Sequence, residues 1–118
     1  MRETDAGLKE LAPFKHFYKL GLGNTQVTDA GLKELATHQK LVILNLGGTQ
    51  VTDVGLKELV PLKNLNHLDL SGTKVMDTAL KDLAMLKRLS TLNLSKTKVT
   101  DAGLKELQDA LPFCRITK

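Results

Sequence analysis

Leucines mark this chain in two alternating spacings. In one, they stand as Leu41-x-x-Leu44-x-Leu46, Leu65-x-x-Leu68-x-Leu70 and Leu89-x-x-Leu92-x-Leu94. The x-Leu-x-Leu part alternates with a period of two, which predicts a short strand with one buried face. In the other, Leu32, Leu35 and Ala36 are three and four apart, which places them on one face of a short helix. Thr28-Asp29 stands ahead of that helix and offers side-chain oxygens to its first free amides. The aspartate recurs at Asp5, Asp29, Asp53, Asp77 and Asp101, whereas the threonine is lost once, to Met76. Asp is therefore the expected helix cap. Pro13 and Pro61 follow the last helical turn and stop it.

The two spacings belong to one repeat. Val-Thr-Asp-Ala-Gly-Leu-Lys-Glu-Leu begins at Val27 and Val99, returns with one change at Val51, and again as Val-Met-Asp-Thr-Ala-Leu-Lys-Asp-Leu at Val75. Thr4 to Leu11 is a fifth copy without its valine, and the period is 24 residues with no insertion. One strand and one helix cannot bury their own apolar face, so the copies must stack, with a parallel sheet on one side and helices on the other. Aligning Leu107 with Leu59 puts Phe113 at the first leucine position and Ile116 at the second. A last strand is thus expected over Cys114–Ile116.

The pattern L-x-x-L-x-L-x-x-T-x-V resembles the leucine-rich-repeat signature, with threonine where that family most often has asparagine or cysteine. Phe17, Leu20, Leu22, Thr25 and Val27 form its first copy. The Thr-Asp-x-Gly-Leu-Lys-x-Leu segment is similar to a bacterial subtype and, beyond it, to the repeats of F-box adaptor proteins, although no F-box-like segment is present. The resemblance implies an α/β fold: a right-handed leucine-rich-repeat solenoid of about five repeats, with a parallel β-sheet on the concave side and short α-helices on the convex side. Residues 1–118 form a single domain in this reading, either complete or a piece of a longer protein. The start carries no polar capping segment. A cap lost with a preceding region, or an edge covered by something else, are the two alternatives.

Composition narrows the class. The 118 residues are 42% hydrophobic and 25% charged, with 3% aromatic and no tryptophan, as expected for a soluble globular chain built from one repeated side chain. No stretch approaches the roughly 20 apolar residues of a membrane span. Met1-Arg2-Glu3-Thr4-Asp5 has no apolar leader core, so a cytoplasmic location is the expectation. The net charge is +4. Residues 1–59 hold seven basic and seven acidic side chains, and residues 60–118 hold ten and six. That excess biases one half toward acidic partners and is too weak to point to nucleic acid.

In the resembled family binding is done mainly by the concave sheet, which implies a protein partner, no enzymatic activity, no cofactor and no membrane insertion. The position before the second leucine holds Lys19, Ile43, His67, Thr91 and Arg115, and the position after it Gly21, Asn45, Asp69, Asn93 and Thr117. One step earlier come Tyr18, Val42, Asn66, Ser90 and Cys114. All three columns are expected to point away from the core. The partner-binding set is Tyr18, Lys19, Val42, Ile43, Asn45, His67, Asp69, Thr91, Asn93 and Arg115. Within it Tyr18, Val42 and Ile43 make an apolar patch of the kind that marks contacts. Asn45, Asp69 and Asn93 make a polar row beside His67. The rival expectation is a structural unit that self-associates into a homo-oligomer through exposed sheet edges.

Other columns read as structure. The aspartates are separated by about one strand spacing, roughly 4.8–5 Å, and cannot converge as the six to eight oxygens of a calcium site must. Thr25, Thr49, Thr73 and Thr97 suggest a hydrogen-bond ladder between loops, and Lys33-Glu34, Lys57-Glu58, Lys81-Asp82 and Lys105-Glu106, with Lys9-Glu10, a solvated convex face. No catalytic or metal set emerges. His16, His38 and His67 fall at three different repeat positions: His16 in a surface slot, His38 at a partly buried packing slot. Cys114 has no histidine beside it. Gly21, Gly23, Gly47, Gly48 and Gly72 lie at strand ends, where turns need them.

Overall fold

The structure, a computed structural model, describes residues 5–9 and 18–118. Phe17, Pro13 and His16 lie outside the described residues. Five three-residue strands alternate with helices. The strands are β1 (Lys19–Gly21), β2 (Ile43–Asn45), β3 (His67–Asp69), β4 (Thr91–Asn93) and β5 (Arg115–Thr117). They pair in chain order and in parallel, each shifted by 24 residues, so that Lys19, Ile43, His67, Thr91 and Arg115 lie side by side. The fold is an α/β solenoid with a five-stranded parallel sheet.

The helices are α1 (Asp5–Lys9), α2 (Asp29–Leu35), α3 (Asp53–Leu56), α4 (Leu80–Leu83) and α5 (Asp101–Ala110). A 3-10 turn, Lys57–Leu59, continues α3, and another, Asp77–Ala79, leads into α4. Strand leucines Leu44, Leu68 and Leu92 and helix leucines Leu32, Leu56 and Leu80 join one apolar cluster between sheet and helices. Truncating one of them to alanine costs about 2–5 kcal/mol, which makes the leucine column the main support of so small a solenoid.

Helix capping falls to threonine, which corrects the expectation for Asp. The hydroxyls of Thr28 and Thr52 accept from the amides of Ala30 and Val54, and that of Thr100 from Gly103. Each aspartate instead turns to the following repeat. Asp5 accepts from the amide of Thr28 at 2.8 Å and from its hydroxyl at 2.5 Å. Asp29 does the same with Thr52, and Asp77 with Thr100. The physical reason is direction. A residue already inside the first turn has its carboxylate beside the neighbouring repeat, whereas the extended residue before it overhangs its own amides. These bonds hold the carboxyl of Asp77 below the ordinary aspartate range, the Thr100 hydroxyl contributing most.

A glycine makes room for that carboxylate. A Cβ on Gly31 would stand 2.3 Å from an oxygen of Asp5, on Gly55 2.2 Å from Asp29, and on Gly103 2.6 Å from Asp77. The copy with Met76 also carries Ala79 in this slot. There Asp53 accepts from the amide of Met76 at 2.7 Å and from the hydroxyl of Thr78. Thr78 thus restores the hydroxyl that Met76 lacks. Without a threonine cap the first turn tightens to 3-10 geometry.

Three further expectations change. Thr25, Thr49, Thr73 and Thr97 each donate to the carbonyl three residues back, at 2.7 Å, and so close the turn within their own repeat rather than linking loops. Of the strand-end glycines only Gly48 and Gly72 adopt positive φ, sharing that repeat position with Asn24 and Lys96. His38 is fully buried, beyond the partial burial expected. On the convex side Lys33, Lys57, Lys81 and Lys105 are exposed, as expected, and Glu34, Glu58 and Asp82 half-buried.

The last repeat departs from the alignment. α5 runs on to Ala110 because nothing breaks it before Pro112. Leu111 and Cys114 then turn inward, while Phe113, expected in the core, is 95% exposed. β5 begins one residue later than expected, at Arg115, although Ile116 does pair with Leu92. Burial raises the Cys114 thiol above its ordinary range.

Candidate functional site

Strand geometry decides which side chains face outward on the sheet. The residues flanking the core-packed middle residue of each strand project from the concave face. They line an open concavity of about 370 Å³ that crosses all five strands. Eight of the ten expected binding residues line it: Lys19, Ile43, Asn45, His67, Asp69, Thr91, Asn93 and Arg115, joined by Thr117. Tyr18 and Val42 do not.

Their column behaves differently from the other two. Tyr18 is 61% exposed, Val42, Asn66 and Ser90 are half-buried, and Cys114 is buried in the core. Strict alternation puts residue 18 in phase with Leu20, which packs half-buried against the core, not with Lys19, so the expectation that all three columns point away from the core fails here. The apolar patch is accordingly divided. Ile43 faces the concavity, and Tyr18 and Val42 flank it where the chain enters the strands. Farther along, the same column ties loops together. Asn66 donates to the carbonyl of Arg88 at 2.8 Å, and the hydroxyl of Ser90 donates to the Asn66 side chain at 2.6 Å. The like chemistry of Asn66 and Ser90 in one repeat slot was the available signal for this role.

The polar row is partly committed to turns. The side-chain oxygen of Asn45 accepts from the amide of Gly47 at 2.9 Å. Asp69 accepts from the amide and hydroxyl of Ser71, and Asn93 from those of Ser95. His67 Nδ1 and the Thr91 hydroxyl share a hydrogen bond across neighbouring strands at 2.5 Å. What remains for a ligand is the rest of each polar side chain, the apolar Ile43, and two cations. Lys19 and Arg115 stand on the outermost strands, and among the described residues neither is in an ion pair. Four strand spacings separate them, on the order of 19 Å. Exposed Lys96 and Lys98 add positive charge at the turns near β5.

A second depression, of about 430 Å³, lies on the convex side between α4 and α5, against Leu80, Ala84, Gly103 and Leu107. Among the described residues no three His, Cys, Asp or Glu side chains are grouped as metal ligands, and no helix is long and apolar enough to cross a membrane.

Comparison with known proteins agrees with this architecture. An internalin, inlF, from Listeria monocytogenes superposes with a TM-score of 0.63 at 23% identity, over 93% of this chain and 37% of its own. A leucine-rich-repeat protein of Leptospira interrogans gives 0.67 at 25% identity, over 93% and 33%. The plant peptide hormone receptor RGFR1, solved in complex with RGF2, gives 0.60 at 13% identity, over 92% and 18%. The chain spans about a third of the length of the two bacterial structures. No curated protein matches it significantly. The family model described as Leucine Rich repeat matches residues 37–60, 62–84 and 88–107, more than half of the sequence. With the 24-residue register and the stacked parallel strands, that match makes the chain a member of the leucine-rich-repeat family.

Proposed function

We propose that this chain is a non-enzymatic recognition module that binds a protein partner along the concave face of its sheet. One observation carries the reading: the fixed register brings the side chains that flank the strand leucines into a single concavity, with an apolar residue, Ile43, and at each end a cation that is in no ion pair among the described residues. These positions lie outside the core for a structural reason, so their identities are available for recognition. The plant receptor, a distant structural neighbour, was solved in complex with RGF2, which is consistent with such a use of the fold. The partner places an apolar anchor against Ile43, flanked by Tyr18 and Val42, and acidic groups toward Arg115, Lys96 and Lys98. His67, Thr91 and the polar row supply hydrogen bonds between. The repeats are of the bacterial 24-residue subtype, in keeping with the bacterial origin of two structural neighbours.

The test separates anchor from charge. Ile43→Ala and Tyr18→Ala are each expected to weaken a purified partner about tenfold or more, as buried anchors do. Arg115→Glu slows association and does so less at high salt. Unchanged affinity in the doubly substituted Tyr18→Ala/Ile43→Ala protein, still folded by circular dichroism, would remove the concave face as the site.

A further inference from the structure

We infer that three successive helix-to-strand loops, 36–42, 60–66 and 84–90, form a docking strip for an acidic peptide segment of a partner protein. The strip lies on the rim of the solenoid, outside the residues that line the concavity, and the inference does not depend on the concave reading. It starts from charge. The three loops carry Lys40, Lys63, Lys87 and Arg88 and no aspartate or glutamate. All four cations are exposed, and among the described residues none is in an ion pair. The convex face is built otherwise: Lys33, Lys57 and Lys81 are each followed by a carboxylate, at Glu34, Glu58 and Asp82. Uncompensated like charges stacked on neighbouring repeats repel one another and attract an anion.

One of these cations is held in place. Arg88 Nη1 donates to Asn64 Oδ1 at 2.9 Å, and Asn64 Nδ2 donates in turn to the carbonyl of Gln39 at 3.0 Å. The carbonyl of Arg88 accepts from Asn66 Nδ2 at 2.8 Å. This relay ties the three loops together and orients the guanidinium on the rim. Only one of its donors is used by the relay, and arginine carries five N–H groups in a rigid fork. A carboxylate takes two of them side by side. Because the side chain is ordered before any ligand arrives, binding does not have to order it.

Geometry and chemistry select the occupant. The 24-residue register puts Lys40 and Arg88 two strand spacings apart, on the order of 10 Å. An extended peptide with acidic side chains on one face sets its carboxylates about 7 Å apart, so two of them cover the strip, one in the fork of Arg88 and one among the flexible lysines. Single-stranded nucleic acid, the other polyanion, is held by aromatic side chains on which successive bases stack. The rim positions are Gln39, Lys40, Lys63, Asn64, Lys87 and Arg88, and none of them is aromatic. The chemistry of the strip is therefore that of carboxylate recognition.

The test titrates the 118-residue chain into a labelled oligoglutamate peptide and follows fluorescence anisotropy at low ionic strength. Binding is expected, and it should weaken as salt rises. Lys40→Gln/Lys63→Gln/Lys87→Gln should weaken it by about tenfold, with circular dichroism unchanged. Lys33→Gln/Lys57→Gln/Lys81→Gln removes the same charge from the convex face and should change it by less than about twofold. Arg88→Lys keeps the charge but loses the fork, and should cost about fivefold. Asn64→Ala frees the guanidinium and should cost about threefold. A chain that does not bind the peptide overturns the inference. So do equal losses in the two lysine triples, which would mean net charge alone, and an Arg88→Lys protein that binds like wild type. An oligothymidylate of matching charge that binds the rim more tightly than the peptide overturns it too, in favour of nucleic acid.

Discussion

Gly55→Ala sets two effects of known sign against each other. Gly55 lies inside α3, where alanine is favoured over glycine by about 1 kcal/mol. Helix propensity alone therefore forecasts stabilisation. The structure forecasts the reverse. The new methyl would stand 2.2 Å from Oδ1 and 2.7 Å from Cγ of Asp29, far inside van der Waals contact, so the carboxylate must leave. With it go the bonds to the amide and hydroxyl of Thr52, at 2.7 and 2.5 Å. Hydrogen bonds to a charged group contribute about 1.5–3 kcal/mol each at best, and partial solvent exposure of this pair reduces that. A combined loss of about 2–3 kcal/mol, offset by about 1 kcal/mol of propensity, leaves a net destabilisation of about 1–2 kcal/mol, or a Tm lower by about 4–8 °C. Thermal and urea unfolding of the single variants Asp29→Gly and Gly55→Ala and of Asp29→Gly/Gly55→Ala complete the cycle. In the Asp29→Gly background neither the carboxylate nor the Cβ that stands 2.9 Å from the new methyl remains, and the same substitution should stabilise by about 0.5–1 kcal/mol. A Gly55→Ala protein more stable than wild type, or one whose effect does not change sign with Asp29 removed, would show that the aspartate junction does not support the fold.

Two other predictions concern the turns and the acid limb. Lys96 adopts φ 59° at the position that Gly48 and Gly72 fill, so Lys96→Gly should stabilise by about 1 kcal/mol; a lower Tm would contradict this. The carboxyl of Asp77 is held below the ordinary aspartate range by Thr100. Its contribution is therefore complete above the unfolded-state value of about 4 and is lost as pH falls through the folded-state value. Asp77→Asn should flatten the decline of stability below about pH 4, and an identical acid slope in both proteins would refute the assignment.

The parts of this molecule visible in the sequence are those that the repeat fixes. Leu44, Leu68 and Leu92 recur without insertion, and so the strands, their register and their buried face follow from counting. What sequence could not decide is which neighbour a side chain meets. Thr28 and Asp29 are adjacent and both can cap a helix, but the partner of Asp29 is Thr52, 23 residues later, and only the stacked geometry selects it. The Thr78–Met76 exchange is intelligible only once Asp53 is seen bonded to both. Cys114 and Phe113 trade places because α5 outruns the alignment by which Phe113 was set on a leucine position. Of the site, the columns on either side of the second leucine were legible from alternation. Tyr18 and Val42 were carried one residue too far, past the phase in which alternation points outward.

Backbone amide spectra of the chain, recorded with and without its purified partner, test the concave site most directly. Binding there shifts Ile43, Asn45, His67, Thr91 and Arg115, one or more amides on every strand from β2 to β5, and leaves α2 to α4 unmoved. Shifts confined to Leu80, Ala84, Gly103 and Leu107, around the convex depression between α4 and α5, would place the partner on the opposite side of the molecule and contradict the proposed function.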